Sequence, residues 1–143
     1  MRTLSIILLS SLILLFSKEN LTSNSQNATL EIRVTNIKKL KGNLMVAVFD
    51  AESKFLKDYS FAKRKKVSAK EHILVFEDLP QGTYAVSIFH DENSNNKLDS
   101  NFLGIPKEPY GFSNNPSTLF GPPSYEKAAF KIDEAIKTIT VEL

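Results

Sequence analysis

The chain reads as an all-β sandwich of about seven short antiparallel strands with one long ordered loop. Short runs alternate apolar and polar residues at period two, which is how a half-buried strand is written. Turn residues punctuate those runs at the spacing of a sandwich, and no helical period persists beyond the N-terminal stretch. No internal repeat is visible, and one domain is the expectation for 143 residues.

Residues 1–25 stand apart. Arg2 is followed by the apolar stretch Leu4 to Phe16 and then by polar Ser17-Lys18-Glu19-Asn20. That stretch falls short of the roughly 20 apolar residues a spanning helix needs and suits the apolar region of a secretory signal. The expectation is a signal peptide with a polar tether, then one sandwich domain over 26–143. The weak small-residue pattern at Ser17 leaves an uncleaved anchor as the alternative.

The first strand places Leu30, Ile32 and Val34 on one face, against Glu31, Arg33 and Thr35 on the other. After a break at Lys38 to Gly42, Asn43 to Phe49 is nearly all apolar, as in a strand buried on both faces. These two are expected to pair as a hairpin. Asp50 to Phe61 suits a short helix or irregular excursion pinned by Phe55, Tyr59 and Phe61. Lys63 to Val67 and His72 to Phe76 follow as strands, with the basic run Lys63 to Lys66 read as a guarded edge. Glu77 to Gly82 is read as a turn, with Pro80 fixing φ and Gly82 free to take a positive one. Thr83 to Phe89, Ala128 to Ile132 and Lys137 to Leu143 complete the set.

Composition excludes several chemistries. Lys and Arg total 18 against 16 Asp and Glu, a formal charge of +2, so no strong field points to nucleic acid. With no cysteine and two histidines, disulfides and thiolate sites are excluded and a zinc site would be hard to assemble. No nucleophile elbow, paired-histidine zinc motif or phosphate loop occurs. His90 shares a strand face with Tyr84, Val86 and Ile88, not with Asp91, and reads as a structural histidine at the edge of the core.

The run from His90 to Asn101 has the oxygen spacing of a calcium loop. Asp91, Asn93, Asn95, the Lys97 carbonyl and Asp99 occupy the first, third, fifth, seventh and ninth positions. Phe102 stands where a bidentate acid would close the shell, and Glu108 could replace it if the chain folds back. Two full charges imply weak affinity, on the order of 0.1 to 1 mM. The competing reading is a polar turn whose side chains bond their own backbone.

Ser100 to Ser124 holds five of six prolines and three of five glycines, together with Phe102, Tyr110, Phe112 and Phe120. Connections this long are usually functional or disordered, and its aromatics favour order, as a loop packed over one end of the sandwich. Tyr110, Phe112, Phe120 and Tyr125, with Asn114 and Asn115 as hydrogen-bonding partners, form a candidate platform for a glycan or a protein. The alternative is a ligand-free cap.

The run His90 to Asn115, with FEDLPQGTYAVSIFHDE before it and FGPPSYEKAAF after it, resembles the exported bacterial proteins grouped as domain-of-unknown-function family 2141. The resemblance implies a secreted or envelope sandwich and no assigned activity; Ser94 and Asn96 stand where relatives commonly carry glycine. Phe76 to Tyr84 is also similar to a strand-turn-strand of prealbumin-like and collagen-adhesin-B-like sandwiches, which implies an Ig-like or prealbumin-like fold.

Function is therefore expected to be non-enzymatic. The reading is an exported binding or accessory module of the envelope, in the periplasm, on the outer surface or secreted, with calcium as a rigidifier and no membrane span after signal cleavage. The alternatives are a glycan hydrolase using Glu92, Asp99 or Glu108, and a structural module without a ligand.

Overall fold

The computed structural model describes residues 27–143. The signal peptide and tether expected over residues 1–25 lie outside the described residues. Eight strands follow in order: β1 (Asn27–Thr35), β2 (Asn43–Phe49), β3 (Phe61–Lys66), β4 (His72–Pro80), β5 (Gly82–Asp91), β6 (Tyr110–Phe112), β7 (Phe130–Ile132) and β8 (Ile136–Glu142). A 3-10 turn at Glu52–Lys54 and one helical turn, α1 (Tyr125–Ala128), complete the regular structure. No helix among the described residues is long and apolar enough to cross a membrane.

The strands form two facing sheets, as the alternation requires. The smaller has the order β4-β1-β8; the larger runs β3-β2-β5-β6, with β7 pairing another stretch of β5. Leu30, Ile32 and Val34 of β1, Leu74 and Phe76 of β4 and Val141 of β8 meet Leu44, Val46 and Val48 of β2 and Val86 and Ile88 of β5 in one buried cluster. Burying such a side chain contributes about 1.5–3 kcal/mol relative to leaving it in water. Period two thus marks the inner face of both layers.

Several expectations need correction. β1 and β2 do not form a hairpin: β1 pairs with β4 and β8, while β2 pairs with β3 and β5. The break at Lys38 to Gly42 carries the chain across the core from one sheet to the other, so each strand finds partners distant in sequence. The sandwich is not purely antiparallel either, because β1 and β8 run parallel. The strands number eight, since Tyr110–Phe112 inside the proline-rich stretch forms β6. Ala128 ends a helical turn and the following strand starts at Phe130.

The corner after β4 also differs from expectation. β4 continues through Pro80, and the residue with positive φ is Asp78 (φ 60), not Gly82. Ala28 pairs with Leu79 and Leu30 with Phe76, so β4 carries one extra residue there, a bulge that returns Leu79 to the core. Gln81 alone then links the two sheets. The Tyr84 hydroxyl braces this crossing by donating to the Pro80 carbonyl at 2.7 Å, in the manner of a tyrosine corner. Burial, and secondarily the charges of Asp50 and Tyr125, push this phenol above its usual range, which keeps it a donor.

β3 lies at the edge of the larger sheet with five of its six residues exposed, as in a guarded edge, although Lys63 Nζ turns back to donate to the Val75 carbonyl and sits 5.1 Å from the Phe76 ring centre. Beyond it, the backbone N–H groups of Ser68 and Ala69 both donate to His72 Nε2, at 3.1 and 3.2 Å. A protonated ring could not accept them.

Two predictions follow from this packing. Gly111 faces inward opposite Ile88, and a Cβ there would lie 2.4 Å from the Glu142 carbonyl oxygen and 3.0 Å from Val141 Cγ1. Gly111→Ala should therefore cost about 2 kcal/mol in denaturant unfolding by forcing β6 and β8 apart. Desolvation first, and the Lys65 charge second, hold His72 below the ordinary imidazole value. Its contribution is present above the unfolded value of about 6.5 and is lost as pH falls through the folded one. The melting-temperature gap between the native chain and His72→Ala should narrow between pH 7.5 and pH 5.5; a constant gap would show that the ring is not an acceptor.

Candidate functional site

The His90 to Asn101 run leaves the inner face of β5 as a tight knot. His90 is buried, its Nε2 donating to the Lys41 carbonyl at 2.7 Å while its backbone N–H donates to that of Pro109 at 2.8 Å. It fastens the β1–β2 connection to the start of the acidic turn, the structural place its strand face implies. Gly42 (φ 68) sits against the same point, where any Cβ would fall 2.0 Å from the Asp91 carbonyl oxygen. Only glycine fits between β2 and the turn.

Four of the calcium-spaced side chains, those of Asp91, Asn93, Asn95 and Asp99, are tied up in hydrogen bonds within the turn. Asp91 is fully buried; its Oδ1 accepts the Asn95 N–H at 3.0 Å and its Oδ2 the Asn96 N–H at 2.9 Å. The amides of Asn93 and Asn95 both donate to the Asp99 carboxylate, and their own oxygens accept the N–H groups of Asn95 and Lys97. Ser94 and Asn96 take left-handed conformations (φ 61 and 62), which asparagine tolerates better than most residues. The chain folds back as required. Buried Glu108 accepts the Glu92 N–H on Oε1 at 2.8 Å and the Asp99 N–H on Oε2 at 3.0 Å, clamping both ends of the turn. Among the described residues no group of three or more His, Cys, Asp or Glu side chains is placed to hold a metal. An ion at this turn would draw on two aspartates and on asparagine oxygens that must first leave backbone partners.

The carboxylates of the hydrolase alternative are each engaged. Glu92 pairs with Lys39 at 2.6 Å, Glu108 holds two backbone amides, and Asp99 receives two asparagine side chains.

The second feature is the outer face of the larger sheet. Register aligns Met45 with Phe89 and Tyr110, Ala47 with Ser87 and Phe112, and Phe49 with Ala85. At one end this face has its own small core. Phe55 meets Phe49 edge-on at 5.3 Å, Tyr125 at 5.7 Å and Phe112 at 6.2 Å, closed by Ala85 and Ala128. Phe55 thus pins the Asp50 to Phe61 excursion, whereas Tyr59 is largely exposed. At the other end the cover is incomplete and leaves a groove of about 660 Å³. Ser87, Ile88, Phe89, Tyr110 and Phe112 contribute from β5 and β6, and residues of 98–106 and 118–122 from the flanking segments. The Ser100 to Ser124 stretch is thus not a single loop: its middle joins the larger sheet as β6, and its two flanks border the groove on that sheet's outer face. Leu56 lines the groove too, at a left-handed φ of 56 that a bulky residue rarely takes.

The six platform candidates divide. Tyr110, Phe112 and Phe120 line the groove. Tyr125 packs on Phe55 and donates its hydroxyl to the Thr83 carbonyl at 3.1 Å. Asn114 donates to the carbonyls of Lys127 and Ala129, and Asn115 exchanges two bonds with the backbone of β8, so their amides serve the scaffold and lie away from the groove. Buried Ser113 accepts the Val86 N–H and donates to the Ala128 carbonyl, fixing α1 on β5. Sequence reasoning passed over Phe89, Leu98, Ile105 and Leu119, which also line the groove. The available signal was Phe89 itself, an aromatic residue on the β5 face opposite Tyr84, Val86 and Ile88.

Fold and site together define a two-sheet sandwich whose larger sheet carries an apolar groove beside a hydrogen-bonded acidic turn. The family model described as "Uncharacterized protein conserved in bacteria (DUF2141)" matches residues 32–140. The chain belongs to that family. No curated protein and no solved structure matches it.

The clamp gives a direct test. Glu108→Ala would leave the Glu92 and Asp99 amides without their acceptor and should cost about 2–4 kcal/mol in stability. Hydrogen exchange at those two amides should rise more than at the core amides of β1, and an equal rise everywhere would show that the carboxylate does not act as a local clamp.

Proposed function

We propose that this protein is an exported, non-enzymatic sandwich of the bacterial envelope that binds an apolar ligand in the groove over β5 and β6. The observation that carries the reading is the groove's chemistry: about 660 Å³ with not one charged residue in its lining. Pockets of this size, apolar with a few placed polar groups, are the usual form of a small-ligand site. Hydrolysis of a glycan asks for two free carboxyls facing each other across a cleft, and engagement of Glu92, Asp99 and Glu108 outside the groove favours binding over that alternative. Export rests on the short apolar N-terminal stretch, and the envelope location follows from it.

Calcium has a secondary place in this reading. The turn from Asp91 to Asp99 would take the ion only in exchange for its asparagine-to-carboxylate bonds, so binding at millimolar concentrations and a modest rigidifying effect are expected. That effect would steady the segment leading to the groove's rim.

The groove is tested with an environment-sensitive apolar fluorophore such as anilinonaphthalene sulfonate. Ser87→Phe fills the groove floor between Ala47 and Phe112 and should weaken probe binding at least about tenfold, the loss expected for about 1.4 kcal/mol. Unchanged affinity in a folded variant would reject the site. Millimolar calcium should raise the melting temperature, and Asp99→Ala should abolish the rise; no rise in the native chain would leave the turn held by hydrogen bonds alone.

A further inference from the structure

Two turns on the rim of the groove carry apolar side chains where turns ordinarily carry polar ones. Gly104 donates its N–H to the Asn101 carbonyl at 3.0 Å, and Gly121 donates to that of Thr118 at 3.1 Å. Each closes a four-residue turn. The central pairs are Phe102-Leu103 and Leu119-Phe120, positions where Gly, Pro, Asn, Asp and Ser dominate. Their exposures are 94%, 67%, 79% and 99%. Scattered single apolar residues on a surface need no explanation, but contiguous apolar patches mark interaction sites.

The first turn is braced. Asn101 Oδ1 accepts the N–H groups of Leu103 and Ile105, at 2.9 and 3.0 Å, and Ser100 bridges to Pro106 below it. Phe102 therefore stands in water on a fixed backbone. Both turns border one cavity, since Gly104 and Ile105 line it from the first side and Leu119, Phe120 and Gly121 from the second. From Ser100 to Ser124 the only charged residues are Lys107 and Glu108. Glu108 is buried under its two backbone amides, so the charged side chain exposed on this stretch is Lys107.

We propose that the Phe102-Leu103 and Leu119-Phe120 turns insert into the headgroup–acyl boundary of an anionic phospholipid bilayer, so that the groove opens onto lipid. Aromatic and leucine side chains on a charge-poor rim suit that boundary, and a lysine beside them suits its anionic surface. A second copy of the chain is the competing occupant. Stable association of that kind needs roughly 800 Å² of complementary surface on each partner, whereas two protruding pairs beside a groove are matched more readily by a fluid that conforms to them. The inference rests on the proposed function only for the choice of face; insertion is read at the tips whether or not the groove takes a soluble probe.

The full chain has no tryptophan, so one indole can report position. Phe120→Trp places it on a tip; Ile73→Trp places it on β4 of the other sheet, at a site 48% exposed. With vesicles of phosphatidylcholine and phosphatidylglycerol, emission from position 120 should shift to the blue and be quenched by acyl-brominated lipid, while position 73 should respond to neither. The apolar stretch from Leu4 to Phe16 is common to both variants and cannot produce that difference. The double change Phe102→Ser with Phe120→Ser should lower the vesicle partition coefficient at least about tenfold, as expected when two aromatic side chains leave an apolar phase. Equal quenching at both positions would overturn the proposal. So would a blue shift at position 120 without vesicles, accompanied by a doubled mass in sedimentation, which would assign the face to a second copy.

Discussion

The larger sheet depends on strand β5, which carries apolar side chains on both faces: Tyr84, Val86 and Ile88 on one, Ala85 and Phe89 on the other. A strand of this kind must be covered twice, or it leaves oily surface in water. Its inner residues Tyr84, Val86 and Ile88 are covered by the smaller sheet through one continuous core. Its outer residues need a second cover, which no third sheet supplies. At Ala85 the cover comes from Phe55, Phe112, Tyr125 and Ala128, a compact secondary core. At Ser87 and Phe89 it comes from loop segments that arch over without filling the space, and the groove is what remains. The candidate site is thus a consequence of covering a two-faced strand with loops.

The acidic turn sets where those loops begin. Buried Asp91 ends β5, and its two oxygens wind the next residues into a knot. Glu108 ties the knot's entry to its exit, so the chain between them returns to a fixed place. The segment from Ser100 to Pro106 is a small pinned excursion from that knot, and β6 starts at Tyr110 in register with Phe89. A second set of anchors holds the far side: Asn114 and Asn115, both left-handed, bond to the backbones around α1 and β8. Rigid anchors at the base allow exposed side chains at the tips.

Legibility followed the range of the interactions. Period two is local, and the strands and their inward faces were readable wherever it held, as in Leu30, Ile32 and Val34. The partners were not. Nothing near Lys38 to Gly42 distinguishes a hairpin from a crossing between sheets, because the deciding contacts, β1 with β4 and β8, come from residues distant along the chain. The bulge at Asp78 was hidden for a related reason: an aspartate takes a left-handed conformation only where the register demands it, and Gly82 nearby drew the expectation. The acidic turn was legible as a polar turn whose side chains bond their own backbone, since its spacing is local. Which donor each oxygen takes was not, since amide orientation depends on the surrounding donors. Asn114 and Asn115 suited a ligand by residue type, and only their left-handed backbones turn them toward the scaffold. The groove itself is assembled from segments far apart in the chain, so only its β5 floor had a sequence trace.

The parallel pairing of β1 with β8 has a bearing on when the protein can fold. The smaller sheet is built from β4, β1 and β8, with β1 in the middle. Half of β1's pairing is therefore missing until β8 has left the ribosome, and such long-range closure is intrinsically slow. A nascent chain would emerge with its central apolar strand only half matched and its layers unsealed. Closure of the smaller sheet thus waits on its last strand, and the two layers seal together and late.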